Sequence, residues 1–168
     1  MNDNEKLFNS GILTEEKQEA VLPPMDLWEK KKNGLVVIEC PQQIPCNPCH
    51  DSCPTGAIMA FENIIDIPRI DYEKCTGCGR CVARCPGLAC FVVDLTWGEE
   101  NEALMKLPHE MLPLPRAGDE VACLNRMGEE VHRGKVINVT EPWKDCTRVV
   151  HVSVPKDMIM KIRAVKVV

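Results

Sequence analysis

Cys75-Thr76-Gly77-Cys78-Gly79-Arg80-Cys81-Val82-Ala83-Arg84-Cys85-Pro86 decides the reading of this chain. Its spacing, C-x2-C-x2-C-x3-C-P, is the one that wraps a cubane [4Fe-4S] cluster. A second run lies upstream. Cys40, Cys46, Cys49 and Cys53, followed by Pro54, read C-x5-C-x2-C-x3-C-P, the same pattern with three residues inserted in its first gap. Pro41 and Pro45 flank that insert, which suits a stiff bulge. An offset of 32 residues places Cys46, Cys49, Cys53 and Pro54 on Cys78, Cys81, Cys85 and Pro86, so an internal duplication is the simplest account. The pairing makes electron transfer the leading function.

The chemistry explains the spacing. A cubane presents four irons at tetrahedral corners, and two-residue gaps let one tight loop reach three of them. Such a loop also turns backbone N–H groups toward the cluster sulfurs. The fourth ligand comes from elsewhere, and the proline after it fixes the turn.

CTGCGRCVARCP closely resembles the motif of bacterial two-cluster ferredoxins, CPQQIPCNPCHDSCP resembles a modified copy, and Cys53 to Ile58 resembles the family's usual continuation. The resemblance covers about 60 of the 168 residues. It implies a ferredoxin-like α+β fold with pseudo-two-fold symmetry, two [4Fe-4S] clusters and crossed ligation. On that pattern Cys40, Cys46, Cys49 and Cys85 hold one cluster, and Cys75, Cys78, Cys81 and Cys53 hold the other. The long first gap leaves the role of Cys40 open; without it, a three-iron cluster or a non-cysteine ligand would follow.

Composition restricts the alternatives. Eleven cysteines are an odd number, which excludes complete disulfide pairing within the chain. The net charge of -5 argues against binding nucleic acid through phosphates. Each cluster with its four thiolates adds roughly -2, which suits an electron partner with a basic or neutral docking face. MNDNEKLFNSG lacks a basic stretch followed by an apolar one, and apolar runs such as Leu35 to Ile38 are too short for a bilayer. The expectation is a cytoplasmic protein of a reducing compartment, without membrane insertion.

Four segments are expected. Residues 1–34 read as an extended N-terminal arm, with Thr14 a candidate helix cap and Leu22, Met25, Leu27 and Trp28 able to pack on the chain itself or on a partner. Residues 35–96 form the dicluster unit, with short strands at 35–39, 57–61, 68–71 and 89–93, and a turn at Glu62-Asn63. Residues 97–117 read as a linker broken by Pro108, Pro113 and Pro115, with one or two helical turns over 101–107. Residues 118–168 read as a small antiparallel β barrel or sandwich with strands near 119–124, 135–139, 148–154 and 162–168. So small a unit has little core of its own and needs support from the cluster domain or a partner.

Other reactive side chains attract blander readings. Cys90 falls on Ile58 in the duplication and reads as packing near a cluster. Cys123 and Cys146 read as buried small residues, and His109, His132 and His151 as isolated surface or packing residues. His50-Asp51 aligns with Val82-Ala83, which leaves open a solvent-facing pair or a cluster of altered potential.

The chain shows no dinucleotide fingerprint, phosphate loop or nucleophile constellation, so no catalytic residue is assigned. It reads as a relay, not an enzyme on its own. The layout resembles the small iron–sulfur subunits of flavin-dependent amino-acid dehydrogenase complexes, of the proline, hydroxyproline or sarcosine type. That resemblance implies flavoprotein partners in a multisubunit oxidoreductase. A free ferredoxin carrier is the alternative. A zinc-binding interaction module is the alternative from another class, although zinc favours paired C-x2-C knuckles across a long spacer.

Overall fold

The computed structural model describes residues 3–144 and 147–168. Cys146 lies outside them. The chain begins with three short helices, α1 (Asp3–Ser10), α2 (Glu15–Glu19) and α3 (Met25–Trp28). Thr14 occupies the N-cap position of α2 in extended backbone, without a side-chain capping bond. The arm packs on its own chain. Leu7, Leu13 and Trp28 are buried, Leu22 and Leu27 lie against the core, and Met25 faces solvent. The Trp28 indole N–H donates to the Val93 carbonyl at 2.8 Å, so its large apolar body is buried with its polar atom satisfied.

Strand β1 (Leu35–Ile38) follows, buried at every position. Unbroken burial of Leu-Val-Val-Ile means that both faces of the strand are covered. The cysteine loops then carry helices α4 (Pro48–Asp51) and α5 (Arg80–Arg84). β2 (Cys90–Asp94) returns antiparallel to β1, pairing Leu35 with Val93 and Ile38 with Cys90. Between the two cysteine loops the chain makes a loose hairpin. A single bridge joins Ile58 to Ile70, and the Asp66 carboxylate accepts the N–H groups of Glu62 and Asn63 at the turn. The strands expected at 57–61 and 68–71 reduce to this bridge.

The remaining strands are β3 (Glu102–His109), β4 (Glu120–Leu124), β5 (Glu130–Thr140), β6 (Arg148–Pro155) and β7 (Ala164–Val167). All seven form one antiparallel sheet in the order β1-β2-β3-β6-β5-β4-β7.

Two expectations change here. The C-terminal strands do not close into a separate barrel or sandwich; they extend an open sheet that starts in the cluster unit. The physical reason is the free edge of β2, whose backbone groups β3 pairs through Val92–Lys106, Val93–Met105 and Asp94–Leu104. Residues 102–109, read as linker, form a strand that is buried from Ala103 to His109 and runs beside β6 for its whole length. Ala, Leu, Met and Lys favour helix as isolated residues, but burial on both faces of a sheet outweighs that weak preference. One apolar core therefore runs from Trp28 and β1 through Met105 and Leu107 to Val152 and Val165.

Candidate metal centres

The eight cysteines of the two runs surround two cavities, and each cavity takes its thiols from both runs. Cys40, Cys46, Cys49 and Cys85 line one, with about 360 Å³ of atom-free space including its mouth. Cys53, Cys75, Cys78 and Cys81 line the other, with about 320 Å³ by the same measure. This grouping coincides with the crossed sets implied by the ferredoxin resemblance. Cys40 stands in the lining despite the long gap that follows it.

Local structure accounts for these positions. Pro48 opens α4, where a missing N–H costs nothing, and α4 buries Cys49. The Cys46 N–H donates to the Ile64 carbonyl at 3.1 Å, which ties the inserted bulge to the hairpin. In the second run Gly77 has φ 62°, and a methyl there would meet the Asn33 carbonyl oxygen at 2.2 Å. Only glycine lets the loop lie this close to the segment before β1.

The surroundings distinguish the thiols. The Cys90 side chain and the backbone N–H groups of Ala89, Gly87 and Cys90 outweigh burial at Cys85 and lower its pKa to about 6. The Ala89 N–H reaches the Cys85 sulfur at 3.3 Å. At Cys53, burial is the largest influence and acts upward, but N–H groups of Ile58, Thr55 and Ala57 with the Thr55 hydroxyl bring the net shift below the usual thiol value. Burial, then the nearness of Cys85, pushes Cys49 up to about 12. Cys40 is raised by burial, then by Cys85 and Cys46, and Cys75 by burial with Cys81 and Cys78 contributing less. Cys85 thus acts on Cys40 and Cys49 of the opposite run.

The donor set fits a polyatomic cluster. Among the described residues no three His, Cys, Asp or Glu side chains are placed to hold a single metal ion. The thiols instead line volumes, with N–H groups turned toward Cys53, Cys75 and Cys85.

Several neighbours were not visible in the sequence. Lys106, buried on β3, donates to the carbonyls of Gly77 at 2.6 Å and Asn33 at 3.2 Å. It clamps the Cys75–Cys81 loop to the segment before β1. Burial lowers its pKa, while Asp94 and the thiols of Cys78 and Cys75 oppose that shift. A lone lysine within Ala-Leu-Met-Lys-Leu was the available signal, masked by reading the stretch as linker. Trp143 lies against Arg80 and Arg84 of α5, whose guanidinium carbons sit 5.2 Å and 5.5 Å from its ring centre.

The other singled-out residues separate. Cys90 and Cys123 are wholly buried. Cys90 lines the first cavity beside Cys81 and Cys85, in agreement with packing next to a cluster site. His50 turns inward, its Nδ1 lying 2.7 Å from the Ile58 carbonyl, while Asp51 is exposed. His109 is buried on β3, and its Nε2 has no partner among the described residues.

Residues 38–89 match the family model of the 4Fe-4S dicluster domain. The ferredoxin-type protein NapF of Haemophilus influenzae is 32% identical over 74 residues, covering 43% of this chain and 42% of that one. A subunit of the ion-translocating oxidoreductase complex of Methanosarcina acetivorans is 51% identical over 43 residues, or 26% and 15% of the two chains. The polyferredoxin-like subunit of an aliphatic sulfonate oxidoreductase from Pyrococcus furiosus is 42% identical over 54 residues, or 32% and 31%. This chain therefore spans less than half the length of these curated relatives. No solved structure matches it. No helix among the described residues is long and apolar enough to cross a membrane. Residues 38–89 are thus similar to ferredoxin-type 4Fe-4S proteins, and iron–sulfur electron transfer is the function that these likenesses support.

Proposed function

We propose that this chain is the electron-relaying subunit of a multisubunit oxidoreductase and carries two [4Fe-4S] clusters in crossed thiolate sets. The observation that supports it is the pair of cysteine-lined cavities, each drawing three thiols from one run and one from the other. Cys40, Cys46, Cys49 and Cys85 would hold the first cluster, and Cys75, Cys78, Cys81 and Cys53 the second. When bound, each cluster takes up and gives back one electron at a time.

The chain's own residues do the rest. Backbone N–H groups beside Cys53 and Cys85 stabilise negative charge on those sulfurs, and the apolar side chains of Val36, Ile38 and Val92 line the same cavities and exclude water. Lys106 brings a cation close to the second set.

Two observations favour a fixed partner. The relatives from Methanosarcina and Pyrococcus are themselves named as subunits. Ile44, Met59, Ile64, Ile65 and Ile67 are each at least 37% exposed along the bulge and hairpin beside the first cavity. Such a concentration of exposed apolar side chains suits a covered protein surface. The partner in this proposal is a cytoplasmic flavoprotein, and the narrower form is an amino-acid dehydrogenase complex.

The test is anaerobic purification from the native host. The proposal expects about eight iron and eight acid-labile sulfide per chain, two interacting EPR signals after dithionite, and copurifying flavoprotein. Absence of labile sulfide would refute the cofactor, and a monomer with both clusters but no companion chain would refute the subunit assignment.

A further inference from the structure

Behind the first cysteine set lies a third cavity, with about 770 Å³ of atom-free space including its mouth. Ile38 and Cys90 line the cysteine cavity, whereas the next residues, Glu39 and Phe91, line this one. Successive side chains of a strand face opposite ways, so the third cavity opens on the far side of the β1–β2 ribbon from the cysteine set.

Its polar wall is an unequal group of charges. The Glu39 carboxylate accepts from Arg126 through Nε at 3.2 Å and through the terminal Nη2, and from Arg163 through Nε at 3.1 Å and Nη2 at 2.8 Å. Arg163 has its other donors on the Ile159 and Ile162 carbonyls and the Met160 sulfur, and its guanidinium lies 4.1 Å from the centre of the Phe91 ring. Arg126 spends one further N–H on the Met160 carbonyl. A guanidinium has five N–H donors, so two on Arg126 are without a partner among the described residues. The three side chains are only 8–14% exposed, and together they carry one positive charge in excess. A buried charge without a counter-charge is costly, and an anion in the adjoining cavity would remove that cost.

We propose that this cavity is a binding site for a small oxyanion, a carboxylate or a phosphate, taken by Arg126. Leu13, Leu88 and Pro108 line the same cavity and give an organic body an apolar surface to rest on. If the first cluster is loaded as proposed above, the bound anion opposes its reduction, and reduction in turn weakens the anion. This corollary depends on the cluster reading; the binding site itself does not.

The test is anaerobic calorimetry on the full-length holoprotein, titrated separately with inorganic phosphate and with phenylacetate. Saturable binding of either is expected, and the tighter of the two identifies the oxyanion. Arg126→Met leaves a neutral Glu39–Arg163 pair, which should preserve the fold, and should weaken binding at least about tenfold. Leu88 offers a second route, because it is exposed at the rim with φ 52°, a backbone that Asp and Asn tolerate. L88D should weaken binding several-fold while L88N, its uncharged counterpart, should not. No saturable heat with either anion, or affinities untouched by both R126M and L88D, would overturn the proposal.

Discussion

Cys85 stands where both cysteine runs meet. Its chain neighbours are Cys81 and the α5 turn, yet its sulfur lines the cavity of the first run. Replacing it separates chain proximity from spatial grouping. On the proposed crossed assignment, Cys85→Ser should damage the cluster that Cys40, Cys46 and Cys49 would hold, and Cys53→Ser the one that Cys75, Cys78 and Cys81 would hold. EPR on the reduced variants reads this directly; damage confined to the altered residue's own run would exclude crossing. His151 tests the sheet instead of the clusters. Burial, and then the positive charge of Lys106, lower its pKa to about 4 from 6.5. The neutral ring is the form the fold accepts. The resulting stability is complete above pH 6.5 and declines as pH falls from 6.5 toward 4, where the unfolded chain takes a proton that the folded chain refuses. The His151 ring proton should show an NMR titration midpoint near 4, and His151→Gln should flatten the loss of stability across that interval. A midpoint near 6.5 would contradict the half-buried environment of the ring.

At the scale of strands, β5 depends on one missing side chain. A methyl on Gly134 would sit 2.6 Å from Val152 Cγ2 and 2.9 Å from both Cys123 Sγ and the Ser153 carbonyl oxygen. Gly134→Ala should therefore cost about 1–3 kcal/mol through overpacking. Urea unfolding followed by circular dichroism measures it, with visible absorbance expected to stay native before the transition; an unchanged midpoint would show that β5 and β6 can part without cost. β1, β2, β4, β6 and β7 were legible because their apolar residues cluster between turn residues. β3 was not, because Glu-Ala-Leu-Met-Lys-Leu carries helix-favouring residues and its strand state depends on β2 and β6 at its sides. The site divides in the same way. All eight cysteines could be named because spacing along the chain encodes a cluster loop, whereas Lys106 and the group of Glu39, Arg126 and Arg163 make contacts that span 29 to 124 positions. No local pattern records such distances.

Across the whole molecule, sheet and cysteine loops share one core, and with the clusters bound as proposed only the loops would depend on them. Removing iron with a chelator should release residues 40–89, which have little regular structure of their own, while β3 to β6 persist through their mutual pairing. Hydrogen exchange by mass spectrometry should show protection lost in the loops and kept at Leu104, Val150 and Val152. Uniform loss throughout would mean that the sheet also relies on the metal, and uniform retention would contradict metal-dependent folding of the loops.

The pairing of β2 with β3 also bears on how this protein can be cut. A recombinant fragment ending at residue 96 would keep all eight cysteines of the two runs yet bare the flank of Val92, Val93 and Asp94, now covered by Lys106, Met105 and Leu104. Such a fragment is an invitation to stack edge to edge with its own kind. A minimal soluble version must therefore carry its C-terminal half with it, or have that flank blunted by a charged or proline substitution.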